Sequence, residues 1–124
     1  MAIIEHRTVP SFELQGNFIM GVATPSRGAK EIEAWFSTMA PGAETPLHVH
    51  DSEEIVVVLR GRGKVRVQDT WEPLEAPCTL IAPRGVPHQI VNTGDEPLEA
   101  VAAIAAGSSI RTPDGVVLDL PWRE

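Results

Sequence analysis

Two histidines and a glutamate that could bind a metal or move a proton lie close together between Gly42 and Gly61. His48 and His50 are two residues apart, so in a β-strand both imidazoles point to the same face. Glu54 follows after a short polar break, and a strand, a turn and a returning strand would bring its carboxylate back beside the histidines. This stretch therefore predicts a polar site built from neighbouring strands.

A third histidine completes a plausible set of metal ligands. The chain has only four histidines, and His88 ends the turn-rich stretch from Pro83. Three imidazoles and one carboxylate suit a divalent transition metal, namely Fe, Mn, Ni, Cu or Zn. This ligand set does not discriminate among these metals. Four protein ligands in an octahedral site leave two adjacent positions open, which favours catalysis over a purely structural metal.

Prolines and glycines divide the rest of the chain into short runs rich in valine and isoleucine. There are 11 prolines and 10 glycines, and this pattern is typical of an all-β sandwich or barrel. One or two edge strands are expected within residues 1–16. Further strands are predicted at residues 18–23, 32–39, 47–50, 54–60, 64–68, 71–74, 78–82, 87–92, 98–106 and 116–120, with a tight hairpin at 61–63.

Size and charge narrow the function classes. A chain of 124 residues with 43% hydrophobic residues predicts one globular domain, residues 1–124. The net charge of −7 argues against a nucleic-acid surface. No apolar run is long enough to span a membrane, and no secretory signal is recognised, so a cytoplasmic location is expected.

The spacing of these residues resembles the two conserved motifs of the cupin family. The first motif, within residues 42–61, reads G-x5-H-x-H-x3-E-x6-G, and every spacing is met. The second, within residues 77–92, is matched at its proline, second glycine, histidine and asparagine, but Pro77 stands where the motif begins with glycine. The matching positions are Gly42, His48, His50, Glu54, Gly61, Pro83, Gly85, His88 and Asn92.

The resemblance implies a cupin jelly-roll barrel of two antiparallel sheets that binds one divalent metal per chain. It places the metal on His48, His50, Glu54 and His88, and Glu54 is also a candidate general base. Similar small cupins often form homodimers. The strand at residues 54–60 is apolar on both faces, so one face is expected to line the barrel and the other to meet a second subunit.

Four residues near the motifs are candidates for a substrate pocket: Trp35, Met39, Arg84 and Ile90. Trp35 and Met39 share one face of their predicted strand, as do His88 and Ile90 of theirs. The default explanation for the three apolar residues is that they pack in the core. The default explanation for Arg84 is that it is a solvated turn residue.

The leading hypothesis for function is a metal-dependent enzyme that acts on a small oxygen-rich molecule. Among the possible reactions, dioxygenase chemistry of the quercetinase-like kind is ranked first. Isomerase or lyase chemistry on a sugar or organic acid would use the same site. A non-catalytic module that binds or senses a small ligand is the alternative from another class, because this fold supports many functions.

Overall fold

A computed structural model describes residues 1–124, and β-strands dominate it. Short 3₁₀ turns cover His6–Thr8, Pro25–Arg27 and Pro121–Arg123. The strands are β1 (Phe12–Leu14), β2 (Asn17–Ala23), β3 (Ile32–Met39), β4 (Val49–His50), β5 (Glu54–Arg60), β6 (Arg62–Val67), β7 (Thr70–Glu75), β8 (Cys78–Ala82), β9 (His88–Asn92), β10 (Leu98–Ala105) and β11 (Ile110–Arg111).

The strands form two antiparallel layers. The first is a six-stranded sheet in the order β1-β2-β3-β10-β5-β8. The second contains β7-β6-β9, and isolated bridges from Glu44 to Val91 and from His48 to His88 join it to the pair β4-β11. The expected all-β jelly-roll barrel is thereby confirmed. No helix is long and apolar enough to cross a membrane.

The tight hairpin predicted at residues 61–63 is wrong, because β5 and β6 do not pair with each other. β5 pairs with β10 and β8, whereas β6 pairs with β7 and β9. Gly61 is where the chain passes from one layer to the other. Its φ is +88°, and a Cβ there would lie 2.7 Å from the carbonyl oxygen of Pro97, so the crossing requires glycine.

The strand predicted at residues 116–120 is also wrong. Of this segment only Val117 forms a bridge, to Arg111. The short strand β11 before it, which the sequence did not predict, takes the place beside β4. Residues 116–124, which we call the strap, then run across one end of the barrel.

The core lies between the layers in two parts. Ten buried residues, among them Met39, Val58 and Leu98, fill one part, while Trp35, Ile104, Ile110 and Trp122 form the other. Residues 98–106 are predicted as a strand although their alanines favour a helix, and Leu98–Ala105 is indeed β10, a central strand of the six-stranded sheet. Tertiary pairing on both sides outweighs the weak helix preference of alanine there.

Only one face of β5 is covered. Glu54, Val56 and Val58 are buried on its inner face, whereas Val57 is 37% and Leu59 47% exposed on the outer face. Within one chain the inner face of β5 is covered and the outer face is open, and the expectation that a second subunit covers the outer face stays a prediction.

Candidate metal centre

The four predicted ligands come together at one point between the two layers. His48 and His50 flank the start of β4, Glu54 begins β5 and His88 begins β9. The isolated bridge between His48 and His88 sets their two rings 4.2 Å apart, centroid to centroid. One ligand atom from each residue lies within 4.8 Å of every other. Atoms that bind one ion through bonds of about 2.1 Å can be at most about 4.2 Å apart, so these side chains would need little adjustment to hold a metal.

Hydrogen bonds orient two of the imidazoles. The Nδ1 of His48 donates to the carbonyl oxygen of Pro46 at 2.6 Å, since a carbonyl can only accept. That tautomer leaves the Nε2 lone pair of His48 free for a metal. His88 Nε2 donates a hydrogen bond to Glu54 Oε1 at 3.0 Å. A metal would replace that shared proton, because coordinating imidazole must be deprotonated at the ligating nitrogen.

His50 gives the clearest indication that a cation belongs here. Its side chain is 1% exposed, and neither Nδ1 nor Nε2 has a hydrogen-bond partner. Its Nε2 is 3.4 Å from Glu54 Oε2. Buried polar atoms are rarely left without partners. The donor set and this orphaned imidazole therefore fit a divalent metal.

The electrostatics favour the protonation states that a metal needs. Burial lowers the pKa of His48 to about 4, with the neighbouring His88 adding to the effect. Burial also lowers the pKa of His50, against the opposing charge of Glu54. Burial alone would raise the pKa of Glu54, but the hydrogen bond from His88 and the nearby His50 hold it below its usual value. Neutral imidazoles beside a carboxylate are the ligating forms.

A cavity of about 440 Å³ opens beside the cluster. His48 and Glu54 contribute to its wall, and 13 of its 21 lining residues are hydrophobic. Its floor is the inner face of the six-stranded sheet, including Val56, Ala100 and Ala102. The exposed residues Leu14, Gln15, Pro46 and Asp119 are also among its lining residues, so the cavity is open to solvent.

Three of the four pocket candidates lie on this wall. Trp35 and Met39 project from β3 and Ile90 from β9. Arg84 does not line the cavity. It is exposed in the turn between β8 and β9, where the amide of Gly85 donates to the carbonyl of His50 and holds the turn behind the cluster.

Sequence reasoning missed the contribution of the strap. Leu118, Asp119, Leu120 and Trp122 all line the cavity. A tryptophan after a proline, Pro121-Trp122, was the only signal, and no periodicity in the sequence indicated that this tryptophan is buried. Trp122 packs edge-on against Trp35, with ring centroids 5.3 Å apart.

The fold and the site together define a two-layered antiparallel β-barrel with a potential metal-binding cluster of three histidines and one glutamate at its cavity. A family model described as "Cupin domain" matches residues 35–104, which is more than half of the chain. The chain belongs to the cupin family.

Among curated relatives, auxin-binding protein 1 of Arabidopsis thaliana is 40% identical over 87 residues, which cover 63% of this chain and 44% of that protein. The chain thus spans less than half the length of that relative. Protein SchB of Streptomyces halstedii is 31% identical over 114 residues, covering 90% of this chain and 81% of SchB.

Among solved structures, the polyketide cyclase RemF from Streptomyces resistomycificus superposes with a TM-score of 0.79. The match covers 100% of this chain and 91% of RemF at 19% sequence identity. At that identity the likeness shows a shared fold.

Proposed function

We propose that this cupin is a metal-dependent enzyme whose substrate has an apolar body and adjacent oxygen donors at one end. The observation that carries the proposal is that His48 and Glu54, two of the four cluster residues, form part of the wall of a mostly apolar cavity. A ligand in the cavity would place its oxygen-bearing end at the cluster and its apolar body against the hydrophobic walls.

His48, His50, Glu54 and His88 would hold the metal. When bound, the metal would supply Lewis acidity to the substrate oxygens and, if it is redox-active, a route for electrons to dioxygen. The carbonyl of Pro46 keeps the His48 ring oriented, and the apolar walls exclude water from the substrate. Glu54 is the candidate proton acceptor, because it lies on the cavity wall beside the other ligands and its lowered pKa keeps it in the ionised form that can accept a proton.

We favour dioxygenase chemistry as the reaction. The hydrophobic walls offer few partners for the many hydroxyls of a sugar, which weighs against the isomerase alternative. Cyclisation of a polyketide-like substrate is a second candidate, because the cavity can receive an apolar carbon skeleton. RemF, named a polyketide cyclase, has the same fold, but at 19% identity this likeness does not by itself transfer the activity.

The test is oxygen consumption by protein loaded with Fe(II), Mn(II) or Ni(II), against a panel of flavonols, diketones and catechols. Dioxygenase chemistry predicts oxygen uptake and a product that has gained oxygen atoms in mass spectrometry. A product that has lost water without oxygen uptake would instead support cyclisation. Saturable binding of an auxin without any product would favour the non-catalytic alternative, consistent with the name of the Arabidopsis relative.

We also propose that the protein is a homodimer in which a second copy covers the outer face of β5 and β8. Val57, Leu59 and Ile81 expose 37%, 47% and 59% of their surface there. Light scattering should give twice the mass of one chain for the wild-type protein. Leu59→Lys should reduce the measured mass to that of one chain, because dimerisation would remove the new charge from water. Val116→Lys, at an exposed apolar residue that follows β11 and lies outside the six-stranded sheet, is the control. A wild-type protein that remains monomeric at high concentration would contradict the proposal.

A further inference from the structure

The strap forms one wall of the cavity without belonging to a sheet. Four lining residues come from it, yet its backbone is tied to the barrel at few points, including the bond from the Leu118 amide to the Ile110 carbonyl at 2.9 Å. Side-chain contacts must therefore hold this wall in place.

Trp122 seats the strap against the six-stranded sheet. It is 4% exposed and packs edge-on against Trp35, which is 8% exposed. The carbonyl of Trp122 lies against Gly21 of β2, where a Cβ would be 2.0 Å from the carbonyl oxygen. The strap can approach this closely only because residue 21 is glycine.

Glu33 of β3 connects the strap to this aromatic pair. Its side chain is fully buried, and its carboxylate accepts three hydrogen bonds. Trp35 Nε1 donates at 2.7 Å, the amide of Gly107 at 2.7 Å, and Arg123 Nε at 2.9 Å. Arg123 also donates to the carbonyl of Ser108, and its guanidinium carbon lies 5.5 Å from the centre of the Trp35 ring. A buried carboxylate requires partners of this kind.

The Glu33 network lies beside the metal cluster and shares no ligand with it. On one side of β10, Ile104 pairs with Glu33 of β3. On the other side β10 pairs with β5, where Ala103 lies opposite Ile55, and the same register places Ile104 opposite Glu54. Two strand spacings separate the two glutamates, or about 10 Å. A change at Glu33 can therefore alter the cavity wall while leaving the ligands intact.

We propose that Glu33 is a positioning residue that fixes Trp35 and the strap as the wall against which the apolar part of the ligand packs. The inference rests on the proposed function only in taking this cavity as the ligand site. Breaking the contact to Arg123 loosens the wall, so apolar molecules bind less tightly while metal binding is kept.

The test uses the full chain carrying Trp71→Phe, which removes the exposed tryptophan and leaves Trp35 and Trp122 as the emitters. Binding of anilinonaphthalenesulfonate, a fluorescent probe with an apolar aromatic body and one sulfonate that needs no metal, is measured together with tryptophan emission and metal content. Glu33→Gln should weaken probe binding by about tenfold, a typical size for coupling between residues in one network. Its tryptophan emission should shift to longer wavelength, with metal content unchanged.

Two further variants make the test specific. Arg123→Gln, at a partly exposed strap residue, should reproduce both changes, and the double variant should bind the probe no more weakly than either single one. Glu31→Gln removes the same charge from an exposed residue nearby and should change neither probe binding nor tryptophan emission.

Unchanged emission and probe binding in Glu33→Gln would overturn the inference, as would no probe binding by the wild-type cavity. Parallel loss of probe binding, metal content and melting temperature would also overturn it, because that pattern indicates a structural role alone. Failure of every variant and the wild type to bind metal would refute the proposed function, while the probe and emission results would still decide the role of Glu33.

Discussion

His88→Ala is expected to abolish tight metal binding. Loss of a residue that merely orients a ligand costs about 10- to 100-fold in metal affinity, so loss of the ligand itself should cost at least about 100-fold. His88 is also the hydrogen-bond donor to the buried carboxylate of Glu54. Leaving a buried acceptor without its hydrogen-bond donor typically costs about 1–3 kcal/mol, and more when the acceptor is charged, so the variant should also be less stable. Elemental analysis and titration with Zn(II) measure the first effect, and thermal unfolding the second.

His48→Ala separates metal binding from stability. His48 is only partly buried and does not donate to Glu54, so its loss should remove metal with a smaller change in melting temperature. His6→Ala, at the exposed histidine outside the cluster, should retain full metal content. If His48→Ala and His88→Ala both keep one metal per chain, the assignment of ligands is wrong.

The metal cluster could be predicted because its parts are local in sequence. Alternation along a strand places His48 and His50 on one side, and a short break returns Glu54. His88 is different, because its position beside His48 depends on a bridge between segments 40 residues apart in the sequence. Only the resemblance to a family supplied that pairing.

The cavity was less accessible to sequence reasoning. Alternation within β3 indicated that Trp35 and Met39 share a face, and both lie on the cavity wall. The strap could not be predicted, because the contact between Glu33 and Arg123 joins residues 90 positions apart and leaves no local pattern. The valines at 116 and 117 instead suggested a strand, although both are exposed, at 58% and 66%.

Ala102→Leu is expected to block the cavity without disturbing the metal. Ala102 lies between Trp35 of β3 and Val56 of β5 in the sheet register, and all three line the cavity. Its methyl group leaves open the space that a larger side chain would fill. One methylene in a hydrophobic pocket changes binding by about 10- to 200-fold, so the added carbons should weaken ligand binding by at least about 100-fold.

The reason to expect a stable variant is that the new side chain enters a cavity and not a filled core. Overpacking a dense core costs about 1–3 kcal/mol, and the change here should be smaller. Calorimetry with dihydroxynaphthalene on Zn(II)-loaded protein measures ligand binding, with metal content and melting temperature recorded alongside. Ala105→Leu, on the exposed outer side of β10, is the matched control and should bind as the wild type does. If Ala102→Leu binds the ligand as tightly as the wild type does, the ligand lies outside this cavity. A leucine side chain on the floor would leave no room for a ligand that extends along the floor to the metal cluster.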